Sequence, residues 1–195
     1  MKMTNKEELL LHYRGQCALC TQCKILAQTR NKTVFGEGNP DARVFLVGEA
    51  AGREEDLQGR PFVGKAGRLL NNMIKACEWR REDVYICNVI CCRPPNNRTP
   101  EATEIHNCGQ FLQKQIAIVD PQVIICLGSV ASNTLVGLPV SEARGRVHKF
   151  DKYPVVATWH PSYLLRKPEA KDEAWEDLQM AIEVLKNGHT VSSSI

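Results

Sequence analysis

The stretch Arg43-Val-Phe-Leu-Val-Gly48-Glu-Ala-Ala-Gly52 decides the fold. Its first six residues form an apolar run of strand length without polar alternation, the pattern of a strand buried on both faces in a parallel sheet. The run breaks at a glycine, and an acid and a glycine-containing turn follow directly. Three further runs share the pattern, Val84 to Ile90, Val123 to Gly128 and Val155 to Thr158.

Helical stripes separate these strands. Leu69, Leu70, Met73, Ile74 and Cys77 form one. Ile105, Cys108, Leu112, Ile116 and Val119 form another, opened by Thr99 as N-cap, Pro100 at the first helical position and Glu101 in the first turn. Trp175, Leu178, Ile182 and Leu185 form a third. Strands alternating with helices predict an α/β fold whose parallel sheet is covered on both faces, and such sheets bind ligands beyond the carboxyl ends of their strands. The chemically distinctive residues fall there: the Gly48 to Gly52 turn, Asn88, Gly128-Ser129 and His160-Pro161-Ser162.

Each has an ordinary reading beside a functional one. Glu49 is a solvated loop acid or a carboxylate held against a ligand. His160 is a satisfied structural histidine or a donor to developing negative charge. Asn88 fastens a loop or reads a nucleobase edge, and Phe62 is core or a stacking platform. The glycines of the first turn do not make G-x-G-x-x-G, which argues against a nicotinamide or flavin cofactor.

No repeat or linker divides the 195 residues, so one domain is expected over 1–188, with a flexible tail at 189–195. The N-terminal run lacks signal-peptide architecture and no segment is apolar enough to span a bilayer, which predicts a cytoplasmic protein without a membrane partner. The net charge of +3 is too small to name nucleic acid as the partner. The positive residues nevertheless flank Gly- and Pro-containing loops, Arg93, Arg98, Arg144 and Arg166 among them, while Glu169 to Asp177 is acidic.

Nine cysteines in a chain expected to stay reduced need a use other than disulfides. Two residues lie between Cys20 and Cys23, fifteen between Cys92 and Cys108, and sixty-eight between the pairs, a spacing suited to one tetrathiolate site. Zinc and a [4Fe-4S] cluster both accept four cysteines. Cys17 and Cys91 offer alternative registers, and Cys77, Cys87 and Cys126 sit in apolar runs as buried thiols.

Taken jointly, Gly48-Glu-Ala-Ala-Gly52, Glu55-Asp-Leu-Gln-Gly-Arg-Pro-Phe-Val-Gly-Lys-Ala-Gly67, Asn88-Val, Cys92-Arg-Pro-Pro-Asn-Asn-Arg-Thr-Pro100, Cys108 and Thr158-Trp-His-Pro-Ser-Tyr-Leu-Leu-Arg166 resemble the family 4 uracil-DNA glycosylases. The resemblance implies a three-layer α/β/α sandwich around a four-stranded parallel sheet, hydrolytic removal of uracil from single- or double-stranded DNA, and a structural [4Fe-4S] cluster on Cys20, Cys23, Cys92 and Cys108, in a monomer. By resemblance, Glu49 positions water or stabilises the cationic sugar, His160 donates towards uracil O2, Asn88 reads the uracil edge and Phe62 stacks on the ring. Gly48, Ala50 and Gly52 line the base, and Glu55 shapes the pocket near uracil C5 or shares the work of Glu49. Arg93, Arg98, Arg144, Ser162 and Arg166 face DNA, with Leu164 or Leu165 as the wedge into the vacated stack. Two departures stand out: Ala51 occupies a position where the family usually has proline, and the segment from Cys23 to Arg30 is one residue longer. The rival expectation is a non-catalytic iron-sulfur DNA-binding or electron-transfer protein on the same fold.

Overall fold

The computed structural model describes residues 3–187, so the tail expected at 189–195 lies outside the described residues. Six strands form one sheet: β1 (Glu37–Gly38), β2 (Val44–Gly48), β3 (Tyr85–Asn88), β4 (Val123–Leu127), β5 (Val147–Phe150) and β6 (Tyr153–Thr158), in the spatial order β1-β3-β2-β4-β6-β5. The four central strands are parallel and are the four that the apolar runs predict. The antiparallel edges β1 and β5 extend the expected four-stranded sheet. Neither shows a buried-strand pattern, because β1 has two residues and Val-His-Lys-Phe of β5 alternates exposed with half-buried positions.

Alternation along the central strands assigns the layers. Phe45 and Val47 of β2 point into one core, together with Tyr85, Cys87, Ile124, Cys126, Val155 and Ala157. On that side lie α1 (Asn5–Leu19), α2 (Lys24–Thr29), α5 (Ala102–Val119), α6 (Ser129–Val136) and α7 (Val140–Ala143). Val44 and Leu46 point the other way, with Ile86, Val123, Ile125, Leu127 and Val156, against α4 (Lys65–Ala76), α8 (Pro161–Arg166) and α9 (Lys171–Lys186). The result is the expected α/β/α sandwich. No described helix is long and apolar enough to cross a membrane.

Two helices depart from their sequence readings. α5 starts at Ala102 with Glu101 as N-cap, two residues beyond the expected Thr99, because the Glu104 carboxylate accepts from the Glu101 N–H at 2.8 Å in a capping box. In α9 the buried face runs through Ala174, Asp177, Leu178 and Ala181, while Trp175 is exposed. Arg144 accounts for this rotation, since its Nε lies 3.2 Å from the fully buried Asp177 carboxylate, which also accepts from the Gly145 N–H at 3.1 Å.

Candidate active site and thiol cavity

Register brings the strand ends together. Gly48 pairs with Asn88 across β2 and β3, and Gly128 donates its N–H to the Thr158 carbonyl at 2.8 Å, just before Trp159 and His160. These ends open into a cavity of about 500 Å³, lined by Glu49, Ala50, Gly52, Glu55, Phe62, Asn88, Arg98, His160, Ser162 and Arg166 among others. The volume is within the range of small-molecule sites.

Missing side chains make this convergence possible. A Cβ on Gly48 would collide with the Asn88 side-chain oxygen and the edge of the Phe62 ring, and one on Gly67 in α4 would enter the Phe62 carbonyl. One on Gly128, at φ +91°, would come within 2.9 Å of His160 Cβ.

Phe62 itself has φ 52°, a left-handed conformation costing on the order of 1–3 kcal/mol for a bulky residue. Several contacts impose it. The Glu55 carboxylate, projecting from α3 (Arg53–Gln58), accepts from the N–H groups of Val63 at 2.9 Å and Gly64 at 2.8 Å. Arg81 donates to the Pro61 carbonyl at 2.6 Å and to Glu37 at 2.9 Å. Hydrogen bonds to charged groups contribute about 1.5–3 kcal/mol each, so together they exceed the backbone cost. The Phe62 ring thus lies against His160, with centroids 5.7 Å apart and planes tilted by 33°.

His160 caps α8, and its Nδ1 accepts from the Ser162 N–H at 3.1 Å, with the Ser162 hydroxyl at 2.8 Å. An Nδ1 that accepts a backbone proton leaves the ring hydrogen on Nε2. Burial, reinforced by the nearby Arg166 charge, lowers the ring pKa to about 4, so the ring is a neutral Nε2–H donor near pH 7. Glu49 has the opposite shift for a related reason: burial raises its pKa, and its carboxylate has no hydrogen-bond or ion-pair partner among the described residues. Asn88 is 2% exposed, and its side-chain oxygen is buried without a partner. Such an atom costs about 1–3 kcal/mol until a donor reaches it.

The two carboxylates are therefore not equivalent. Glu55 is engaged in holding the Phe62 loop, whereas Glu49 remains available. Arg98 and Arg166 also line the cavity. Arg98 is bound through two hydrogen bonds to Glu104, at 2.6 and 2.9 Å, and Arg93 donates to Asn97 at 2.7 Å. Two expectations need correction. Leu164 is 1% exposed and belongs to the core under α4, so it cannot be a wedge, whereas Leu165 is 48% exposed. Arg144 does not line the cavity: it is held against α9 by Asp177 and by the Glu173 carbonyl, to which it donates at 2.9 Å.

The four expected cysteine ligands border a second cavity. Cys20 ends α1, Cys23 precedes α2, Cys92 follows β3 and Cys108 lies in α5, and all line one small cavity with Cys17 and Cys91. Three of the four sulfurs have N–H donors aimed at them: Arg30 to Cys92 at 3.2 Å, Cys91 N–H to Cys108 at 3.3 Å and Asn107 to Cys23 at 3.6 Å. That is the donor chemistry of thiolate ligands and their outer shell. The sulfurs surround a cavity, and among the described residues no group of three or more His, Cys, Asp or Glu is gathered as for a single metal ion. Sequence reasoning missed Arg30 and Asn107, whose roles depend on tertiary proximity alone.

The half-buried, neutral His160 carries a pH signature. Between about pH 6.5 and about 4 the unfolded chain binds a proton at this ring that the native state refuses, so stability falls as pH drops through that window. Urea unfolding across the window should show a smaller pH slope for His160→Gln than for the wild type. Equal slopes would mean that the ring is not held neutral.

Residues 35–179 match the family model described as the uracil DNA glycosylase superfamily. The chain is 45% identical to the type-4 uracil-DNA glycosylase of Thermotoga maritima, over 94% of this chain and 98% of that protein. It is 41% identical to that of Archaeoglobus fulgidus, over 82% and 85%. A type-5 uracil-DNA glycosylase of Pyrobaculum aerophilum matches at 31%, over 65% of this chain and 64% of that one. A cavity at the strand ends, with a neutral histidine, an unpartnered amide oxygen and an available carboxylate, thus sits within a chain that belongs to the type-4 group of the uracil DNA glycosylase superfamily.

Proposed function

We propose that this protein is a DNA repair glycosylase that turns uracil out of DNA and hydrolyses its N-glycosidic bond, leaving an abasic site. The observation that carries the residue-level reading is the unpartnered Asn88 oxygen beside the neutral His160 ring. Uracil presents an N3–H donor between two carbonyl acceptors. Asn88 Oδ1 accepts from N3–H while its amide nitrogen donates to O4, and recovering a buried, unsatisfied acceptor favours a base with a hydrogen at N3. Cytosine has none at N3, so it leaves the oxygen orphaned.

Breaking the bond to N1 puts negative charge on the departing base and positive character on the sugar. His160 Nε2–H donates to uracil O2 as that charge develops, without first gaining a proton. Glu49 serves the sugar side, orienting water for attack and opposing the developing cation. Phe62 supports the ring face, while Glu55 holds the Phe62 loop. Arg93, Arg98 and Arg166 supply positive charge towards phosphates, and Leu165 is the side chain placed to fill the vacated stack.

The four thiols fit a [4Fe-4S] cluster, with Cys20, Cys23, Cys92 and Cys108 as ligands. When bound, the group supplies covalent ties among segments distant in sequence. The chain's own contribution is to line one cavity with four sulfurs and aim N–H donors at three of them.

Single-turnover assays on U·G and C·G duplexes test the base reading. The wild type should release free uracil, and Asn88→Asp, which keeps the size but removes the amide donors, should slow release about 10- to 100-fold, from a mismatch of roughly 1–3 kcal/mol. Absence of uracil release by the wild type would favour the non-catalytic alternative, and an unimpaired Asn88→Asp would exclude Asn88 from recognition.

For the cluster, protein purified without oxygen should contain about four iron and four acid-labile sulfide per chain. Cys108→Ser should lose most of both. Stoichiometric zinc without iron would overturn the assignment.

A further inference from the structure

Trp159 and Tyr163 line the same cavity but have no part in the roles above. Trp159 directly precedes His160, and Tyr163 follows one turn later on α8. Their rings stack, with centroids 4.6 Å apart and planes 25° from parallel. The indole Nε1 donates to Glu173 Oε2 at 2.6 Å, which ties the ring to α9. Glu173 is itself steadied by Arg144, which donates to its carbonyl at 2.9 Å and lies 3.7 Å from its carboxylate.

This gives Arg144 a use different from the expected phosphate contact. It braces the acid that holds the tryptophan. Both rings remain half-buried rather than closed into the core, and both border the space next to His160. Arg166 and the exposed Leu165 follow on the same short helix. A rigid aromatic pair with its polar group satisfied, open to a cavity and flanked by a cation, matches the platforms on which proteins stack unpaired bases.

We propose that Trp159 and Tyr163 form a base-stacking platform for the nucleotide adjoining the extruded uracil. This proposal rests on the uracil-excision reading of the cavity. When uracil leaves the stack, its neighbour loses a stacking partner, and the aromatic pair offers a replacement. Every nucleobase has a π face, so the platform accepts any neighbour and adds no sequence preference. It also acts on a single strand, where no complementary strand contributes to binding.

Equilibrium binding to two short single strands tests this. Both carry one uncleavable 2′-fluoro-uracil nucleotide; one has ordinary bases on either side, the other stable abasic analogues. Tyr163→Ala should bind the first about 10-fold more weakly than the wild type, the loss expected for one base–aromatic stack, and should show less than about a twofold loss on the second. Tyr163→Leu, which keeps most of the packing volume, should reproduce the difference if the alanine variant folds poorly. Equal losses on both strands, or no loss on either, would overturn the proposal. Uracil release by the wild type, measured in parallel on a cleavable strand, judges the excision reading separately, because the strand comparison requires no turnover.

Discussion

The site depends on one steric constraint, the close approach of β2, β3, the Phe62 loop and α4 at Gly48 and Gly67. A methyl group at Gly48 would occupy the space of the Asn88 oxygen and the Phe62 ring, and one at Gly67 would displace the Phe62 carbonyl. Forcing extra atoms into packing of this kind costs typically about 1–3 kcal/mol. Here the larger consequence is geometric. The strained Phe62 backbone is held between Glu55, Arg81 and Glu37, so the ring has little room to retreat. The amide proposed to read the base and the ring proposed to support it are therefore positioned by the same contact.

The thiol cavity lies on the same route through the fold. β3 ends at Asn88, four residues later the chain reaches Cys92, and the loop then returns to the cavity at Arg98. Arg98 is fixed by Glu104, one turn before Cys108 on α5. Anchoring Cys92 and Cys108 thus constrains the segment that carries Arg93 and Arg98. The proposed cluster would thus have a structural role, in agreement with Arg30, Asn107 and the Cys91 N–H satisfying sulfur acceptors around the cavity.

The sequence was most legible where a pattern was repeated and local. Four apolar runs predicted the four central strands, and the residues just after them predicted the cavity, because parallel strands place their carboxyl ends on one side. The edge strands were hidden: β1 is too short to show a period and β5 is half exposed. The distinction between Leu164 and Leu165 depends on the rotation of a six-residue helix, which two adjacent leucines do not encode. Arg144 and Asp177 are thirty-three residues apart, so their pairing, and with it the buried face of α9, left no local trace. Sequence leaves open whether Glu55 shares the work of Glu49, and the Val63 and Gly64 N–H groups on the Glu55 carboxylate, contacts eight and nine residues away, set the two apart.

The central claim is that the cavity is built before substrate arrives, with a neutral His160 donor and an Asn88 oxygen awaiting a donor. The most direct measurement is ¹⁵N NMR of both side chains while free uracil is titrated in near neutral pH. The expected result is a His160 ring that stays in the neutral Nε2–H form throughout and an Asn88 side-chain amide signal that shifts in step with uracil occupancy. A His160 ring that becomes doubly protonated in the complex, or an Asn88 signal that stays fixed while uracil binds, would contradict it.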